Sequence, residues 1–156
     1  MRLGSGIAPL LEMFEHKVRV GLGVDGSSSN DSGHMLNEAR QAMLLQRVKH
    51  GASAITARDV LRTATRGGAK VLRHNNIGQI ALGLSADMAI YDMQSVDLAG
   101  THTDPLAALV FCGPVKTKHT IINGKFVVED GHLTTMNINS LLEEHRKLSI
   151  ELLNSA

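Results

Sequence analysis

Asp25 stands at the end of a short β-rich run, Val18-Arg19-Val20-Gly21-Leu22-Gly23-Val24, and just ahead of a polar loop, Gly26-Ser27-Ser28-Ser29-Asn30-Asp31-Ser32-Gly33. A carboxylate in that position has two chemistries open to it. It can ligate a metal ion, or it can act as a general base where its surroundings raise its pKa. In folds with parallel strands, function collects beyond the carboxyl ends of the strands, and the glycines beside Asp25 let other groups come close. The plain alternative is a turn aspartate that accepts hydrogen bonds from its own loop. Anion binding by the stretch from Gly21 to Gly33 is a third reading, since glycine-rich loops between strand and helix do this. It is the weakest of the three: there is no G-x-G-x-x-G and no P-loop lysine, and Asp25 would repel the anion.

The other reactive side chains form no pattern. The eight histidines show neither His-x-His nor His-Glu-x-x-His spacing, so each reads as a surface or structural residue. His34 lies just beyond the polar loop and is grouped with Ser29 and Asn30 as adjacent to a substrate held at Asp25. Serines 27 to 29 lack the G-x-S-x-G elbow of a nucleophile. Cys112 is the only cysteine, so no disulfide forms within the chain, which suits a reducing compartment. It falls late in a short apolar helix and reads as packed rather than reactive.

The elements that must carry these residues are readable in outline. A short helix is expected over Pro9 to Glu15, followed by the run 18–24 as a strand packed on both faces. Leu36, Ala39 and Met43, with Met35 and Ala42 beside them, predict one buried face of a helix from Met35 to Val48. Thr56-x-x-Asp59 is a capping box for a second helix that Gly67-Gly68 would end or interrupt. Beyond residue 73 the pattern becomes β. A strand is expected over Asp87 to Asp92, after a turn at Gly83. Asp104-Pro105 opens a short helix that Gly113-Pro114 closes. Val115 to Ile122 and Lys125 to Val128 flank Asn123-Gly124, a type I′ hairpin turn, and Asp130-Gly131 marks another turn. Ser140-x-x-Glu143 caps a terminal helix to about Leu153, with Leu141, His145, Leu148 and Leu152 on one stripe.

Bulk properties exclude several classes. The 156 residues carry a net charge of +1 with Lys and Arg scattered, which argues against nucleic acid and anionic membrane as partners. Aromatics are only 3% with no Trp, so a base-stacking platform is not expected. No apolar run approaches the ~18 residues of a membrane span, and no secretory leader is visible; a cytoplasmic protein is the expectation.

The ordered set Leu3-Gly4-Ser5-Gly6-Ile7-Ala8-Pro9, Val20 to Gly26, Ser29-Asn30-Asp31 and Met35-Leu36-x-Glu38-x-Arg40-Gln41-Ala42 resembles the amidohydrolase superfamily. Within it, the likeness is to the cytosine, guanine, 8-oxoguanine deaminase and triazine chlorohydrolase branch. The second half agrees through Thr63-Ala64-Thr65, Gly68-Ala69, Ile77-Gly78, Ala86-Asp87-Met88-Ala89-Ile90-Tyr91-Asp92 and Ile121-Ile122-Asn123-Gly124-Lys125. Asp104-Pro105-Leu106-Ala107-Ala108-Leu109-Val110 looks most like the 8-oxoguanine deaminase group.

The resemblance implies an α/β fold: the last βα unit of a metal-dependent hydrolase TIM barrel with its helices over 1–73, part of a β-sandwich composite domain over 74–135, and a C-terminal helix over 136–156. It implies that Asp25 ends the eighth barrel strand, ligates a divalent zinc or iron ion and accepts a proton from the attacking water. The implied reaction is hydrolytic deamination of a purine-like or other cyclic amidine, a small heterocyclic substrate, by a homo-oligomer. The family's His-x-His, its later His ligand and its proton-donating acid have no counterpart here, and a barrel needs ~200 residues or more. One carboxylate does not hold a catalytic zinc, which takes three protein ligands. The chain is therefore expected to be a fragment or truncated product, inactive alone and without tightly held metal. The alternative is a non-enzymatic interaction module reusing the β-sandwich half.

Overall fold

The computed structural model describes residues 3–155. Helix α1 (Leu10–Glu15) leads into the 18–24 run, and α2 (Met35–His50) follows the polar loop. Then come α3 (Ala57–Arg62), a π-helical turn (Thr63–Gly67) and α4 (Gly68–Leu72) as one continuous rod. The β half contains β1 (Met88–Ile90), a 3-10 turn (Val96–Leu98), α5 (Pro105–Phe111), β2 (His119–Ile122), β3 (Lys125–Glu129) and β4 (His132–Leu133). Helix α6 (Ile138–Asn154) closes the chain.

The core forms where α2, α3 and α5 meet. Leu10, Ala39, Met43, Ile55, Ala57, Val60 and Val110 are buried together. Burying a side chain the size of Met43 or Val60 contributes about 1.5–3 kcal/mol. A smaller cluster joins Leu36 to Leu98, Ala108 and Val115, so α5 binds the β half to α2. Met35, expected on the buried face of α2, instead lies 38% exposed at the helix start, and Gln46 takes a buried position further along. Gln46 Nε2 donates to the Ala8 carbonyl at 2.9 Å, which ties the segment before α1 to α2.

The Thr56 capping box is present. Thr56 Oγ1 accepts from Asp59 N at 3.2 Å, and Asp59 Oδ2 accepts from Thr56 N at 3.0 Å. Gly67-Gly68 does not end this helix. The rod runs on through the π-turn to Arg73, a left-handed cap at φ 58°. The glycines serve close approach instead. A Cβ on Gly67 would overlap the Val20 carbonyl oxygen, and one on Gly21 would lie 3.0 Å from Gly68 Cα.

The four strands form one antiparallel sheet in the order β1-β2-β3-β4. Asn123 (φ 49°) and Gly124 (φ 76°) take the positive φ pair of a type I′ turn. The turn is pinned from outside: Asn123 N donates to Asp87 Oδ1 at 2.7 Å and Gly124 N to the Ala86 carbonyl at 3.0 Å. Asp130 (φ 46°) and Gly131 (φ 78°) repeat the same conformation before β4.

Three expectations are corrected. The run 18–24 carries no strand. Val20 and Leu22 pack against the core, and Val18 N donates to the Met13 carbonyl at 2.9 Å, but among the described residues no strand lies alongside the run, and a strand exists only through such pairing. Cys112 is exposed, because it sits at the C-cap of α5 after the buried turn has ended. Helix α6 starts three residues early: Asn137 Oδ1 accepts from Asn139 N and Ser140 N, so Asn137 and not Ser140 is the cap. No residue of α6 is buried, so its apolar stripe faces solvent. Among the described residues no helix is long and apolar enough to cross a membrane.

Candidate functional site

Asp25 adopts a left-handed backbone at φ 62°, a conformation that non-glycine residues rarely take and that Asp tolerates best. The loop then coils back: Ser29 N and Asn30 N both donate to the Gly26 carbonyl, at 3.0 and 2.9 Å. This brings two donors to the carboxylate. Gly26 N donates to Oδ1 at 2.8 Å and Ser29 Oγ donates to Oδ2 at 2.8 Å. The Gly26 amide, and after it the Ser29 hydroxyl, hold the Asp25 carboxyl below its ordinary range. The group is therefore ionised at neutral pH. That direction suits a ligand for a cation, and it opposes the general-base reading, which needs a raised pKa.

The turn-aspartate geometry is thus present, with both oxygens bonded inside the loop. It does not exhaust the group. A carboxylate offers about four lone-pair positions, and two hydrogen bonds leave one on each oxygen. Asp25 is exposed, so those remaining positions open to solvent.

Asn30 is a brace. Its Nδ2 donates to the Val24 carbonyl and to Glu38 Oε1, both at 2.7 Å, and its Oδ1 accepts from Ser32 N at 3.2 Å. Both amide protons are committed, so Asn30 fixes the end of the 18–24 run to α2 rather than offering donors to a ligand. Asn37 Nδ2 adds a second tie at 3.0 Å to Ser32 Oγ. Glu38 receives Asn30, a role that only the return of α2 past the loop reveals.

His34 goes elsewhere. It occupies the N-cap position of α2, and its Nε2 lies 3.2 Å from the Val115 carbonyl. Its Nδ1 is buried without a partner. The structure therefore brings Asp25, Ser29 and Asn30 into one bonded loop and links His34 to the β half. Among the described residues no three His, Cys, Asp or Glu side chains gather to hold a metal. Asp25 alone does not fit a zinc centre with three protein ligands.

Comparison with known proteins places this geometry in context. The amidohydrolase family model matches residues 1–127. The 8-oxoguanine deaminase of Pseudomonas aeruginosa is 41% identical over 146 residues, covering 94% of this chain and 32% of its own length. A 5-methylthioadenosine/S-adenosylhomocysteine deaminase of Pelotomaculum thermopropionicum is 36% identical, covering 99% of this chain and 36% of its own. Among solved structures, an adenosine deaminase from Xanthomonas campestris with bound zinc superposes at a TM-score of 0.90 with 29% identity, over 97% of this chain and 35% of that one. The zinc complex of atrazine chlorohydrolase from Arthrobacter aurescens superposes at 0.86 with 31% identity, over 94% of this chain and 33% of that one. The chain spans about a third of the length of the relatives it matches. By the match over most of its length, this chain belongs to the amidohydrolase family.

Proposed function

We propose that this chain supplies one metal ligand, Asp25, to a divalent-metal aminohydrolase that releases ammonia from a cyclic amidine, most closely a purine-like ring. The observation that carries the reading is the conformation of Asp25. It is left-handed, ionised and outward-facing, and it closes a run that is packed on helices. The relatives named above are deaminases, and zinc is bound in the two solved neighbours. In this reading residues 18–24 are the eighth barrel strand, 1–73 end the barrel, 74–135 form part of a β-sandwich and 136–156 are a terminal helix. The α5 helix is then the joint between barrel and sandwich. Ser29 and the Asn30–Glu38 brace position the carboxylate, and a ring substrate would lie over the 25–34 loop. The other metal ligands lie outside this chain, so no catalytic step is assigned to 1–156 alone.

The test is direct. Purified 1–156 is expected to show no turnover of 8-oxoguanine or guanine and well under one bound zinc per chain. Turnover with about one tightly held metal per chain overturns the one-ligand reading. For the role of Asp25, residues 1–156 replace the matching third of the P. aeruginosa 8-oxoguanine deaminase. The chimera is expected to deaminate, and Asp25→Asn is expected to abolish both activity and metal retention. A variant with full activity removes Asp25 from the site.

One observation favours a second reading, an interaction module. Leu141, Leu148 and Leu152 of α6 are 46%, 57% and 72% exposed on one stripe. That reading expects cooperative unfolding indifferent to chelators and a defined oligomer by analytical ultracentrifugation. Concentration-dependent, open-ended association fits the unpaired 18–24 run instead.

A further inference from the structure

Residues that the Asp25 site does not use converge on a groove of about 700 Å³ between the stretch from α1 to Val20 and the α3–α4 rod. Its floor is apolar, with Phe14, Val20 and Ile55 among its lining. Its rim is cationic. Lys17 and Arg19 line it from one side, and Arg62, Arg66 and Lys70 from the other. Those last three stand four residues apart along the rod, across its π-turn, and all line the groove. Five of the sixteen Lys and Arg thus line one groove in a chain of net charge +1.

No counter-charge inside the groove explains them. Asp59 is the only carboxylate on the lining, and its Oδ2 already accepts from Thr56 N and Thr56 Oγ1. Among the described residues, none of the five cationic side chains makes an ion pair or a hydrogen bond. Gathered like charges focus a positive potential in a concave, partly apolar site, which raises the local concentration of anions. At the rim, Lys17 and Lys70 are of a type depleted at protein interfaces, which favours a small anion there over further polypeptide. Arginine forks match phosphate oxygens in bidentate fashion, and the volume lies within the range of small-molecule sites.

We propose that this groove binds a small molecule bearing an oligophosphate chain, with the phosphates on Arg19, Arg62, Arg66 and Lys70. Inorganic polyphosphate and a nucleoside triphosphate share that chemistry; the Phe14 floor is available to the body of the second. The groove lies at the start of the 18–24 run and Asp25 at its end, so the inference stands apart from the reading of Asp25.

Isothermal titration of 1–156 with tripolyphosphate, ATP and hexaglutamate tests it. Binding of the phosphate probes is expected, weakening with added salt and falling at least tenfold in Arg62→Glu/Arg66→Glu. Arg146→Glu/Lys147→Glu on α6 is expected to bind as the parent does. Equal affinity for the two phosphate probes assigns the site to the phosphate chain alone, and tighter ATP assigns the floor to the nucleoside; both support the proposal. Absence of phosphate binding, hexaglutamate binding as tight as tripolyphosphate, or equal loss in the α6 variant overturns it. Should the double glutamate variant fail to fold by circular dichroism, Arg66→Gln/Lys70→Gln gives the same reading with milder change.

Discussion

Two stretches of this molecule are comparably rich in β-forming residues, and only one of them forms a ladder. Residues 119–129 hold Thr120, Ile121, Ile122, Phe126, Val127 and Val128, and residues 18–24 hold Val18, Val20, Leu22 and Val24. The first folds into β2 and β3 around Asn123-Gly124, with Thr120 opposite Val128 and Ile122 opposite Lys125. The second packs on Gly67-Gly68 and joins no sheet among the described residues. The hairpin carries its partner two residues away, so closing it costs little loop entropy. The 18–24 run needs partners that no nearby residue supplies. Composition gives a stretch the capacity to be a strand; proximity of a partner decides whether it becomes one.

Hydrogen exchange breaks or sharpens this contrast most strongly. The amides of Val20, Gly21 and Leu22 are expected to exchange at near-unprotected rates, while those bonded in the β2–β3 ladder are slower by about 100-fold or more. Equal protection in both would mean that 18–24 finds a partner, by self-association or otherwise. Next in size is Gly67→Ala. The added methyl enters the space of the Val20 carbonyl, and overpacking of this kind costs about 1–3 kcal/mol, outweighing the gain in helix propensity. Urea denaturation measures it, and an unchanged midpoint would show that the run does not rest on the glycine pair.

A smaller loss is expected for Gly124→Ala, about 1–2 kcal/mol, because an L side chain is forced into the left-handed region. Asp25→Asn and Asp92→Asn give the smallest effect, seen on the acid side. The Gly26 amide lowers the pKa of Asp25, and the Gln94 amide followed by Lys118 lowers that of Asp92. A carboxyl depressed in the folded state adds stability above its unfolded pKa of about 4, and that stability is lost as pH falls through the lower folded value. The denaturation midpoint is therefore expected to drop between about pH 5 and pH 2, and each substitution should make the drop shallower. Asp92→Asn tests the hairpin side of the contrast, where Lys118 Nζ lies 3.3 Å from Asp92, and Asp25→Asn tests the side of the unpaired run.

What was legible in the sequence was what neighbours in the chain decide. The α2 face, the Thr56–Asp59 box, the Asp104-Pro105 cap and the Asn123-Gly124 turn each depend on residues within about two helical turns of one another. Asn137 displaced Ser140 as a cap because both types cap helices and only geometry chooses between them. Gly67-Gly68 misled because glycine marks either a terminus or a close approach, and the approaching residues, Val20 and Gly21, are more than forty positions away. The site divides in the same way. The bond from Ser29 to Asp25 follows from a four-residue loop. The brace from Asn30 to Glu38 needs α2 to pass back along the loop, and His34 is bonded to a carbonyl 81 residues distant.

The π-turn at Thr63–Gly67 acts as a phase shifter. One extra residue in a helix rotates everything after it by about 100° relative to a regular α-helix. That rotation helps to aim Ala69 at Gly78, where an added Cβ would lie 2.8 Å from it, and to bring Gly68 against Gly21. Deleting a single residue between 64 and 66 would reset the phase and swing α4 away from both contacts. The rod would keep its helical content yet lose its grip on the two segments it holds, a change visible in tertiary packing and almost invisible to far-ultraviolet circular dichroism.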